Sequence, residues 1–101
     1  YANLLRKLLL PQDVVVAISC SGNSANVVKA IRTAKDIHIP SIKTVAMVGA
    51  DLECDLLKER LDAWVSVPFK DIRVQEDVHL CICHAIAGAL ANATPKTDRL
   101  L

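Results

Sequence analysis

The sequence predicts an α/β domain built on a three-stranded parallel sheet. Three observations carry this. Short runs of valine, isoleucine and alanine alternate with longer stretches of helical period. Only 3% of the 101 residues are aromatic while 52% are hydrophobic, a bias toward small and β-branched side chains that suits strands buried between helices. The order strand, helix, strand, helix, strand, helix requires right-handed crossovers with helices on both faces, a three-layer αβα arrangement of three βα units.

The elements follow in chain order. Asn3 to Leu10 reads as a helix, and Pro11-Gln12 as a turn. Asp13 to Ile18 is a continuous apolar run, short enough for a strand buried on both faces. Ser19-Cys20-Ser21-Gly22-Asn23-Ser24 is loop chemistry, small and polar around one glycine. From Ala25 the period changes. Val27, Val28, Ile31, Ala34 and Ile37 recur at helical spacing, with Lys29, Arg32, Lys35 and Asp36 facing away and Asn23 or Ser24 as N-cap. Lys43 to Val48 is a second strand, closed by Gly49. A second helix is expected from about Asp51 to Leu61 on Leu52, Leu56 and Leu57, with Lys58 to Arg60 on a solvated face. Ala63 to Val67 is a third strand, ended by Pro68. The last helix, about Ile72 to Ala91, places Val74, Val78, Cys81, Ile82, Ala85 and Ala89 on one face. A sheet this thin leaves edges that need cover.

Composition bounds the function. The length fits one domain spanning residues 1–101. Twelve basic and 11 acidic side chains give a formal charge of +1, with no basic stripe, which argues against nucleic acid as a partner. The stretch from Val78 to Thr94 lacks charge and proline, but it carries His79, His84 and Asn92 and falls short of the roughly 20 apolar residues of a membrane span. Cys20, Cys54, Cys81 and Cys83 lie in apolar periodic segments, the habit of reduced thiols rather than of a disulfide framework. With no signal peptide, a cytoplasmic location is expected. The chain starts at Tyr1 without an initiator methionine and is expected to be part of something longer.

Ligands of open parallel sheets sit beyond the carboxyl ends of the strands, where the Ser19 to Ser24 loop falls. Its hydroxyls at Ser19, Ser21 and Ser24 can donate hydrogen bonds, Gly22 permits close approach, and the helix N-terminus adds N–H groups and partial positive charge. The loop lacks lysine, arginine and the Walker spacing, so a phosphate monoester suits it better than a nucleoside triphosphate. A plain helix-capping turn is the alternative reading.

Asp13 to Ala34, DVVVAISCSGNSANVVKAIRTA, resembles the SIS (sugar isomerase) domain, nearest to its phosphoheptose isomerase branch. Thr44 to Gly49, Ala63 to Pro68, and Gln75 to His79 with His84 resemble the family's later strands and final helix, so the likeness runs over nearly the whole chain. The resemblance implies a flavodoxin- or Rossmann-like fold and a single phosphosugar-binding domain lacking its N-terminal half. It implies phosphate binding by Ser19, Ser21 and Ser24, with Asn23 shaping the loop and Cys20 where threonine is common. The family's first strand, its Gly-Asn-Gly-Gly-Ser loop and its catalytic glutamate would lie upstream of Tyr1.

On the final helix the family uses a glutamine and a histidine eight residues apart for metal binding or acid catalysis. Here Gln75 and His84 are nine apart, and Glu76 and His84 have the family spacing. The resemblance thus makes His84 the catalytic candidate, with Gln75, Glu76 and His84 the candidate ligands of a zinc ion. By residue pattern alone, Gln75, His79 and Cys83 share a stripe at four-residue spacing, a weak metal signal. Cys81 and Cys83 read as core or subunit packing, Trp64 as core or interface, and His38 as a solvated loop residue. The resemblance implies one of two functions: an aldose–ketose isomerase acting on a ketoheptose 7-phosphate, assembled as a homotetramer, or a non-catalytic phosphosugar-binding regulatory module on the same scaffold.

Overall fold

The computed structural model describes residues 1–37 and 41–93. It contains α1 (Ala2–Leu8), β1 (Val14–Ser19), α2 (Ala25–Asp36), β2 (Lys43–Val48), a 3₁₀ turn (Asp55–Lys58), β3 (Ala63–Ser66) and α3 (Ile72–Ala93). The strands form one parallel sheet in the order β1-β2-β3. This is the expected α/β class. Ser19 pairs with Val48, and Val48 with Ser66, so all three strands end at one level. The register therefore gathers the three following loops along a single edge.

Helix α2 packs on β1 through Val28, Ile31 and Ala34 of the expected stripe, while Val27 is only partly buried and Ile37 is the C-cap. Val28, Ala30, Ile31, Thr33 and Ala34 are buried, and Ile31 joins Ala17, Ala46, Val48, Cys54 and Leu56 in the core. Helix α1 lies against α2. Among the described residues, no helix is long and apolar enough to cross a membrane. His38 lies outside the described residues.

The structure corrects five readings. First, the helix expected from Asp51 to Leu61 is only the 3₁₀ turn Asp55–Lys58. Its backbone donors are taken elsewhere: Asp55 N donates to Asn23 Oδ1 at 2.8 Å, Leu56 N to Gly22 O at 2.9 Å, and Glu53 N to Asp51 Oδ1 at 2.9 Å. Donors committed to a neighbouring loop cannot build an i→i−4 ladder. Secondly, Glu59 is not solvated. Its side chain is 15% exposed and ion-paired with Arg32 and Lys35 of α2.

Thirdly, β1 is not buried on both faces, since Val14, Val16 and Ile18 are exposed on the side away from α2. Fourthly, the apolar stripe foreseen on α3 is not the one that docks. The residues of α3 that are buried are Gln75 and His79, while Val78 and Cys81 are exposed. These two polar side chains find acceptors at the sheet edge, and that outweighs the generic preference for apolar contact. Fifthly, Trp64 stands 52% exposed on the edge strand, which rules out the core alternative of its reading and leaves the interface one. Of the four free thiols, Cys54 alone is buried.

The bare face of β1, with Leu4 and Leu8 of α1 and Leu80 and Ile86 of α3, leaves much apolar surface in water. These 101 residues expressed alone are expected to self-associate or fold poorly in sedimentation velocity. A single monomeric species that unfolds cooperatively would contradict this.

Candidate functional site

The site grows from the turn between β1 and α2. Its shape depends on Gly22, at φ +69°, where a side chain would be strained. Space forbids one as well: a Cβ there would lie 2.3 Å from Cys54 Sγ. The glycine expected to let a ligand approach thus also seats the loop on a buried thiol. Ser19 Oγ accepts from Gly22 N at 3.0 Å and stands 3.3 Å from Ser24 Oγ. Ser21 Oγ accepts from Asn23 N at 3.1 Å, and Asn23 Oδ1 ties the loop to the 3₁₀ turn. Ser24 is the N-cap of α2 and makes no side-chain cap hydrogen bond. The donors of the first helical turn, Ala25 N and Asn26 N, have no intrahelical acceptor by helix geometry. Hydroxyl and amide donors therefore collect where the dipole of a 12-residue helix favours negative charge.

The opposite wall is the start of α3. Gln75 is buried and donates from Nε2 to Phe69 O at 2.5 Å. It crowds Gly49 so closely that a Cβ there would fall 2.5 Å from Gln75 Oε1 and 2.4 Å from Cys20 O. One turn on, His79 is 3% exposed, with Nε2 2.8 Å from Val48 O. Glycine at position 49 thus allows β1, β2 and α3 to meet.

Two clefts of about 380 Å³ each flank Cys20. One is lined by Cys20, Ser21, Asp51, Lys70 and Gln75 among others. The other is lined by Ile18, Cys20, Glu76, His79, Leu80 and Cys83. Burial pushes the Cys20 thiol up, and the Glu76 carboxylate adds to the shift, so the sulfur keeps its proton at neutral pH.

The structure brings together Ser19, Ser21, Asn23 and Ser24 in one turn, with Gln75 and Glu76 lining the flanking clefts. His84 stands apart, exposed on α3 and lining neither cleft. Among the described residues, no three His, Cys, Asp or Glu side chains converge to hold a metal. The three candidate zinc ligands do not line one cleft: Gln75 lines the first, Glu76 the second and His84 neither. The sequence reading missed Lys70 and Asp51. The loop itself holds no cation, yet Lys70 lies four residues beyond the end of β3 and lines one cleft with Ser21. The topology rule that placed the serine loop could have found it.

A hydroxyl-lined loop at a helix N-terminus, beyond the carboxyl ends of a parallel sheet, defines the class: an α/β domain with a donor-rich turn at its strand ends. Comparison with known proteins narrows it. The chain is similar to the phosphoheptose isomerase of Chromohalobacter salexigens, 34% identical over 98 residues that cover 93% of this chain and 49% of that protein. To the phosphoheptose isomerase of Colwellia psychrerythraea it is 41% identical over 87 residues, 85% of this chain and 43% of that one. Among solved structures, a phosphoheptose isomerase from Francisella tularensis superposes with a TM-score of 0.72 at 26% identity, covering 83% of this chain and 43% of the other. One from Neisseria gonorrhoeae gives 0.72 at 31% identity, covering 87% and 48%. No protein-family model matches the chain. The chain spans about half the length of the curated relatives it matches.

Proposed function

We propose that this chain is the phosphate-binding part of an aldose–ketose isomerase acting on a ketoheptose 7-phosphate. The observation that carries the reading is the turn from Ser19 to Ser24. Three hydroxyls and the uncapped start of α2 converge there as donors, with no acidic side chain in the turn to repel an anion. Ser19, Ser21 and Ser24 hold the phosphate, Asn23 holds the turn in shape, and Lys70 adds positive charge across the cleft from Ser21.

The isomerisation moves a proton between neighbouring carbons through an enediol, which needs an acid–base group at the far end of the substrate. His84 is the acid in this reading, and Glu76 or Gln75 helps place the reacting end. The general base is assigned to a carboxylate outside these residues, in keeping with a chain that spans about half the length of the relatives it matches. Assembly as a homotetramer in the cytoplasm completes the proposal, since a second copy would cover the bare face of β1.

The test is exchange. The complete protein, given a ketoheptose 7-phosphate in deuterium oxide, is expected to form the aldose phosphate with deuterium at the carbon next to the carbonyl. Tight binding without exchange or aldose would overturn the enzyme reading in favour of a non-catalytic phosphosugar-binding module. Absence of binding would overturn both.

A further inference from the structure

His79 presents a problem of hydrogen-bond accounting. Its ring is 3% exposed, and Nε2 lies 2.8 Å from Val48 O. A carbonyl oxygen can only accept, so Nε2 carries the proton and neutral His79 has a bare lone pair on Nδ1. That Nδ1 is buried and has no hydrogen-bond partner. A buried acceptor left unpaired costs about 1–3 kcal/mol, so a donor brought by an occupant would be favoured there.

The surroundings say what kind of occupant. His79 lines the cleft between the end of β1 and α3 with Cys20, Glu76 and Cys83, over an apolar floor of Ile18 and Leu80. At about 380 Å³ the cleft is the size of a small-molecule site. Its polar centre is rich in acceptors: the His79 lone pair and the Glu76 carboxylate. The neighbouring Ser19–Ser24 turn is the reverse, rich in donors. Cys20 belongs to both. A ligand matching this polarity has an anion at one end and hydroxyl donors at the other.

We propose that this cleft receives the hydroxyl-bearing carbon chain of a phosphosugar, with His79 Nδ1 accepting a hydrogen bond from one of its hydroxyls. The inference rests on the phosphate reading of the serine turn and extends it to the polyol end. It makes His79 a substrate-binding residue; His84, on a different face of α3 and lining neither cleft, then acts as acid on substrate held by another copy of the chain in the proposed tetramer. The Cys20 thiol, held protonated by burial and by Glu76, adds a weak donor beside these acceptors.

His79→Gln is the informative variant. The glutamine amide can still donate to Val48 O in place of Nε2, while the acceptor at Nδ1 disappears. In the complete protein, the dissociation constant for a ketoheptose 7-phosphate is expected to rise about 2- to 12-fold, the range for one neutral hydrogen bond. Affinity for inorganic phosphate should not change. A His79→Gln protein that binds both as tightly as wild type would overturn the proposal and leave Nδ1 to a bound water. A nitrogen-15 spectrum of wild type guards against a variant that fails to fold. The Nδ1 resonance should move on adding the sugar phosphate and stay put with inorganic phosphate, and an immobile resonance would also overturn the proposal. Wild type that ignores inorganic phosphate, yet loses sugar-phosphate affinity on His79→Gln, would sink the serine-turn reading and uphold the cleft.

Discussion

Replacing His84 by asparagine in the complete protein is expected to lower turnover about 10²–10⁴-fold, the usual contribution of a general acid or base. The melting temperature should stay where it is. His84 is exposed on α3 and is not among the residues that anchor that helix to the sheet, so little packing is lost with it. That makes it a cleaner probe than Gln75. Gln75→Ala removes a buried side chain that bonds Phe69 O and packs on Gly49, so stability and activity would fall together. Glu76→Gln lies between these cases, since Glu76 is exposed but lines the His79 cleft. A larger loss of turnover at Glu76 than at Gln75, after correction for stability, is expected if the final helix carries one extra residue. Unchanged turnover in His84→Asn would return this histidine to the surface of the protein.

Ser24→Ala is expected to weaken binding of a ketoheptose 7-phosphate about ten- to a hundredfold, because a hydrogen bond to a charged group contributes roughly 1.5–3 kcal/mol. The unphosphorylated sugar should show almost no difference. From sequence, Ser24 looks the poorer probe, because an N-cap serine replaced by alanine costs about 1 kcal/mol of stability. The structure reverses that order. Ser24 Oγ makes no cap hydrogen bond, whereas Ser21 Oγ accepts from Asn23 N. Ser21→Ala should weaken binding to a similar extent and disturb the turn as well. Calorimetry showing equal affinity for wild type and Ser24→Ala would remove this hydroxyl from the phosphate site.

What could be read from the residues is what local chemistry dictates. The three strands and α2 were legible because a short β-branched run and a 3.6-residue stripe each point to one backbone state. The Ser19–Ser24 turn was legible because it follows a strand and opens a helix, and topology alone puts such a turn at the ligand edge. Three of the failures share a different cause. The stretch from Asp51 to Leu61 has a helical pattern, but Gly22 O and Asn23 Oδ1 capture its donors from a turn far away in sequence. Glu59 looks solvated until Arg32 and Lys35 arrive from α2. On α3 the apolar residues outnumber the rest, yet Gln75 and His79 dock, because Phe69 O and Val48 O wait at the sheet edge. Each of these three misses is a long-range acceptor or charge that no window along the chain contains. Lys70 was missed for the same reason, as its neighbour Ser21 is brought to it by the register of three strands.

The claim that supports the rest is that the turn between β1 and α2 is a phosphate cradle. The most direct measurement is a proton–nitrogen correlation titration of the complete protein with inorganic phosphate at neutral pH. The account predicts saturable shifts concentrated on the amides of Ser21 through Asn26 and on Lys70, absent with an equal concentration of chloride. Amide signals of that turn that stay fixed while phosphate is raised to saturation, or shifts that fall on another part of the molecule, would contradict it.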